Sequence, residues 1–151
     1  MRVAVAGTFS VVHAGHLRLL KEAFRIGDEV LVGITSDAMA AKKGYDVPPL
    51  HQRMKVLDAH LQKIAGGKRY RIVVIEDEIG PAACEPLDAI VVSERSAPRA
   101  LRINEIRGRN RLPPLAVHVV EMMRGEDGEV ISASRVMAGE IAPDGRLRRR
   151  P

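Results

Sequence analysis

The chain has 151 residues, one domain's worth, and its 46% hydrophobic and 28% charged content excludes disorder as the dominant state. Two Phe, two Tyr and no Trp mean that aliphatic residues must fill the core. Of the net charge of +5, four units come from Arg146, Arg148, Arg149 and Arg150, and without them the balance is +1.

Short apolar runs alternate with helical stretches along the chain. Val3 to Ala6 is the first run and ends at Gly7, and Gly15 to Ile26 reads as a helix stopped at Gly27. Glu29 to Thr35 is the second run. Leu50 to Ala65 follows as a helix, with Leu50, Met54, Leu57, Leu61 and Ile64 at helical spacing before Gly66-Gly67. Arg71 to Ile75 and Ala89 to Val92 are further runs. A helix over Ala97 to Arg109, a run over Leu115 to Val120 and a last helix over Ser134 to Glu140 complete the series. The runs are β-branched and nearly continuous, the mark of strands covered on both faces. The order predicts a single-domain, Rossmann-like α/β fold, a five-stranded parallel sheet with helices on both faces. Residues 1–145 form that domain in this reading, and 146–151 form a solvated basic tail.

The same composition narrows the partners. Nucleic-acid modules combine a basic face with stacking aromatics, which are scarce here, so no specific nucleic-acid partner is expected. Cys84 stands alone, which excludes an internal disulfide or a Cys-rich zinc site and suits a reducing compartment. No basic-apolar leader and no apolar run near the ~18 residues of a membrane span is visible, so a cytoplasmic domain without a membrane partner is expected. Oligomeric state leaves no mark in the sequence. The Met residues at 54, 122, 123 and 137 read as gap-filling core.

Ligands of parallel α/β sheets gather where strand ends lead into helix N-termini, which puts weight on the loop after the first strand. It reads GTFSVVHAGH, from Gly7 to His16. Gly7 allows a tight turn and Gly15 close packing at the helix start. His13 and His16, three apart, can project to one side. Free helix N–H groups beside two imidazoles suit phosphate. The same pair could be metal ligands, but no Cys or third His is near in sequence; surface histidines without a role are the bland reading. No G-x-G-x-x-G fingerprint or Walker A loop is present.

GTFSVVHAGH resembles the GTFD-x-x-H-x-GH signature of the nucleotidyltransferase superfamily, and ISASR at Ile131 to Arg135 resembles its second signature. The stretch EDEIGPAACEPLDAIVVSERSAPRALRINEIRGRNRLPPLAVHVVEMM resembles the archaeal and eukaryotic type of phosphopantetheine adenylyltransferase. The likeness is collinear from Val3 to Gly139.

That resemblance implies transfer of the adenylyl group of ATP to 4′-phosphopantetheine, with Mg²⁺ as cofactor. It implies His16 as the transition-state histidine and Lys42 as the lysine on the acceptor's phosphate, with Lys43 a competing candidate. Gly7, Thr8, Phe9, His13, His16, Ser93, Glu94, Asn104, Ser132, Ser134 and Arg135 would meet ATP, and Thr8 and Phe9 both substrates. No residue is implied as a metal ligand. Arg53 follows a helix-start pattern of relatives or only pairs locally. Two departures stand out: Ser10 replaces the usual Asp, and Ala97 replaces an aromatic. A related enzyme with another phosphate acceptor, such as nicotinamide mononucleotide or riboflavin phosphate, and a non-catalytic nucleotide-binding module are the competing readings.

Overall fold

The structure is a computed structural model that describes residues 1–148; Arg149, Arg150 and Pro151 of the expected tail lie outside the described residues. Strands β1 (Arg2–Gly7), β2 (Glu29–Thr35), β3 (Arg69–Ile75), β4 (Ala89–Ser93) and β5 (Ala116–Val120) form one sheet. Every pairing is parallel and the spatial order is β3-β2-β1-β4-β5. The helices are α1 (Ala14–Ile26), α2 (Asp37–Ala40), α3 (Leu50–Ile64), α4 (Ala97–Arg109) and α5 (Ala133–Met137), with a 3₁₀ turn at Gly80–Ala83. The expected single-domain α/β architecture is thus the observed one.

Strand periodicity divides the core into two layers. Val3, Val5, Val30, Val32 and Val91 pack against Leu20 and Phe24 of α1 and Leu57 and Leu61 of α3. Ala4, Leu31, Ile90 and Val92 pack on the other face against Ala100 and Ile103 of α4. Double coverage holds for the three central strands only. At the edges of the sheet, Val74 of β3 and Val119 of β5 are well exposed.

Gly27 caps α1 as expected, at φ −102°, an ordinary extended value, and its role is space: a Cβ there would lie 2.8 Å from Val3 Cγ2. Two other local expectations needed correction. The last helix ends at Met137, shorter than expected. The stretch 123–147 is folded, with an antiparallel bridge Arg124↔Val130, then α5, then a bridge Ile141↔Leu147. Ile131, Val136 and Ile141 form its small core, which packs on Val11, Ala14 and Met123. The boundary expected between 145 and 146 falls inside this last hairpin, where Arg146 pairs with Asp144 at 2.6 Å and the Leu147 N–H bonds Glu126 at 3.1 Å. Among the described residues no helix is long and apolar enough to cross a membrane.

Candidate active site

Strand order reverses direction between β1 and β4, and the crevice of such a sheet opens at that point, above the carboxyl ends of the strands. A cleft of about 340 Å³ lies there. Its floor is the loop after β1. Phe9 takes a left-handed backbone conformation (φ 52°), strained for a non-glycine residue, and turns its buried ring beneath Gly7 and toward His16, ring centroids 5.0 Å apart. Phe9 is also among the residues that line the cleft. The Thr8 hydroxyl accepts a hydrogen bond from that of Thr35 at 3.1 Å.

Arg53, 1% exposed, braces this loop. Its guanidinium donates to the carbonyls of Thr8 (2.9 Å), Thr35 (2.8 Å) and Pro48 (2.7 Å) and to the Asp37 carboxylate (3.0 Å). It ties the ends of β1 and β2 to the start of α3, well beyond the local pair the sequence suggested.

The two histidines cap α1 reciprocally. His13 Nδ1 accepts from the Gly15 N–H at 3.0 Å, and His16 Nδ1 accepts from the His13 N–H at 3.2 Å. With both Nδ1 atoms accepting, this hydrogen-bond network assigns the ring protons to Nε2. The rings stack at 3.8 Å. Gly15 is required sterically, since a Cβ there would sit 2.8 Å from the His13 ring. Burial pushes His13 down to about 4. Burial, then His13, push His16 down to about 3 against the Val11 carbonyl, with a smaller push from Lys43. Both rings are neutral at pH 7.

The free helix N–H groups expected at α1 are mostly taken. The Ala14 N–H donates to the Pro143 carbonyl at 2.8 Å and the Gly15 N–H to His13. Attraction for anions must come instead from imidazole N–H groups and nearby cations.

Of the other expected residues, Gly7, Thr8, Ser93, Ser132 and Ser134 line the cleft. Ser132 also caps α5 through the Arg135 N–H (3.4 Å), and its hydroxyl lies 3.2 Å from that of Ser134. Lys42 does not line the cleft, whereas Lys43 does. Each closes a turn after α2, and one residue of register decides which reaches the site. Glu94 is exposed and outside the lining. Asn104 is turned away: its amide grips the Leu115 backbone at both N–H (2.7 Å) and C=O (3.0 Å), fixing the start of β5. Arg135 is engaged by Glu140 (3.1 Å), Asp127 and the Val130 carbonyl (2.9 Å), and it too is absent from the lining.

Sequence reasoning missed Arg95, Ser96, Tyr45 and Glu121, which line the cleft. A basic residue just past β4, at the reversal of strand order, was the available signal for Arg95. Met122 and Met123 line the cleft and Met137 is 43% exposed, so Met122 and Met137 are not core filling, while Met123 also packs against the small C-terminal core. Among the described residues no three His, Cys, Asp or Glu form a metal-holding group, and Glu121 is the one lining carboxylate. That donor set suits magnesium that keeps substrate phosphates and water as ligands, not a protein cage.

Such a site on such a fold defines a nucleotidyltransferase-type class, and the chain belongs to the cytidylyltransferase-like family, whose model matches residues 4–139. It is 40% identical over 149 residues to the phosphopantetheine adenylyltransferase of Methanothermobacter thermautotrophicus, covering 98% of this chain and 90% of that one. It is 39% identical over 136 residues to the protein of the same name from Pyrobaculum aerophilum, covering 89% of this chain and 88% of that one. Among solved structures, a protein of unknown function from Archaeoglobus fulgidus superposes with a TM-score of 0.73 at 29% identity, covering 80% of this chain and 89% of that one. A lipopolysaccharide core biosynthesis protein from Thermoplasma volcanium shares the fold at TM-score 0.60 and 21% identity, covering 82% of this chain and 96% of that one.

Proposed function

We propose that the protein transfers the adenylyl group of ATP to 4′-phosphopantetheine, giving dephospho-coenzyme A and pyrophosphate. A phosphate oxygen of the acceptor attacks the α-phosphorus of ATP; that P–O bond forms as the bond to the bridging α,β-oxygen breaks, and its electron pair leaves with pyrophosphate. A phosphate monoester is already an anionic nucleophile, so no side-chain nucleophile or general base is required. The task left to the protein is alignment and stabilisation of charge.

The observation that carries the reading is the neutral, stacked histidine pair with both Nδ1 atoms held by backbone. In this reading the Nε2–H of His16 donates to the α-phosphate as its charge grows, and that of His13 to the neighbouring phosphates. Lys43, in the cleft, takes the acceptor's phosphate. Ser132 and Ser134 meet the nucleotide phosphates, and Arg95 is the lining cation nearest the end of β4. Magnesium carried on ATP would supply charge neutralisation for the pyrophosphate.

An apolar pocket of about 30 Å³, lined by Ala6, Gly33, Ile75, Ile79 and Ile103, shares Ala6 with the cleft and has room for little more than a water molecule. The acceptor assignment therefore rests on the relatives and the cleft, and not on this pocket. The test is an acceptor panel with pyrophosphate release as the readout. Phosphopantetheine is expected to be used far better than nicotinamide mononucleotide or riboflavin phosphate, and the reverse order overturns the acceptor assignment.

A further inference from the structure

We propose that Tyr45 is a positioning residue that, through Ser10, holds the segment carrying Lys43 across the cleft and so sets affinity for the phosphate-bearing acceptor. The role of Lys43 rests on the adenylyl-transfer reading; the tether is a property of the free protein.

The segment between α2 and α3 is anchored firmly at its ends. At one end the Lys43 N–H donates to the Ala40 carbonyl at 3.0 Å. At the other, the Leu50 N–H donates to Asp37 at 2.9 Å and Arg53 holds the Pro48 carbonyl. Between them, among the described residues, 44–47 make no backbone hydrogen bond, and nothing lies within 4 Å of where a Gly44 side chain would begin. Their one hydrogen bond is from the side chain of Tyr45, whose hydroxyl lies 2.9 Å from that of Ser10.

Ser10 is 8% exposed and belongs to the loop that carries His13. The bond therefore joins the two walls of the cleft, one bearing the histidines and the other Lys43. Lys43 is an exposed, flexible side chain, so where its ammonium can dwell depends on where its backbone is held. Both partners of the tether are neutral. An Asp at position 10, usual in the family this chain resembles, could hold the tyrosine too, but it would set a carboxylate in the same cleft as Lys43 to compete with substrate phosphate. Ser10 keeps the tether and leaves the ammonium free.

Loss of one neutral hydrogen bond of this kind corresponds to about a 5-fold effect. Tyr45→Phe, Ser10→Ala and the double variant are compared in two assays. Without substrate, trypsin cleavage of the folded protein after Lys43 should speed about 5-fold in each single variant and no further in the double, because cleavage follows the population of the released segment. In steady-state kinetics with the acceptor that the panel selects, the acceptor KM should rise about 5-fold, with kcat and the ATP KM within 2-fold of wild type. Unchanged cleavage, effects that multiply in the double variant, or a fall in kcat at unchanged acceptor KM would each overturn the proposal. Failure of the wild type to use phosphopantetheine would instead sink the acceptor reading, while the proteolysis arm still decides the tether.

Discussion

The two ends of the central strands are built on opposite electrostatic plans. At the amino-terminal edge, charges stay in water. The terminal amine pairs with Asp28 at 2.7 Å and Arg2 with Glu29 at 3.5 Å, all four groups more than a third exposed. At the carboxyl-terminal edge, Arg53 is 1% exposed, the histidines are neutralised by burial, and Phe9 sits in a strained conformation. Exposed pairs add little and are easily replaced, whereas buried polar groups cost dearly if one partner is lost. The difference marks which end has a geometry to preserve.

Substitutions at the cleft end should have the largest effects. His16→Ala should lower kcat on the order of 10²–10³-fold with ATP affinity measured by calorimetry little changed, as expected for a donor acting mainly in the transition state. A kcat near wild type would remove His16 from the chemistry and blur the contrast between the ends.

The two fully buried arginines sharpen the comparison. Arg107 donates to the carbonyls of Pro113 (2.8 Å), Ala82 (2.9 Å) and Glu85 (2.8 Å), none of them in the cleft. Arg53→Met and Arg107→Met should each cost about 3–5 kcal/mol in denaturant unfolding, because several buried carbonyls lose their donor. Only Arg53→Met should also lower kcat/KM of the fraction still folded, on the order of 10–100-fold, through displaced loops. Equal kinetic losses in both would show that the effect is merely one of stability.

Next in size is the lysine pair. Lys43→Ala should raise the acceptor KM on the order of 10-fold while Lys42→Ala leaves it within 2-fold. The opposite ranking would return the anchor to Lys42. Smallest of all, Asp28→Asn at the amino-terminal edge should leave the kinetic constants unchanged and shift the melting temperature by at most about 2 °C.

The five strands were legible as nearly continuous β-branched runs, and the three long helices as the stretches between them, each several residues long. α2 and the turn at Gly80–Ala83, four residues each, carry no period to read. Within the site, the β1–α1 loop was legible because glycine and histidine types restrict the backbone and the chemistry together. Asn104 and Arg135 stand outside the cleft lining for a different reason: each finds backbone or carboxylate partners nearby, and no pattern in one sequence shows that competition. The Pro143 carbonyl on the Ala14 N–H is a contact between chain ends that only the fold creates. Tyr45 and Arg95 belong to no motif, so their place in the cleft came from geometry alone.

If two neutral, tautomer-locked imidazoles form the working face of the cleft, nitrogen-15 NMR of the histidine rings across a pH titration will show them. In the folded protein His13 and His16 are pushed to about 4 and about 3, below the ordinary 6.5. Between those limits the unfolded chain binds more protons, so their contribution to stability is complete above pH 6.5 and lost as the pH falls toward 4. Both rings should be Nε2–H tautomers, with no titration of either between pH 8 and 5. Protonation of either ring near pH 6.5, or an Nδ1–H tautomer, would contradict this assignment.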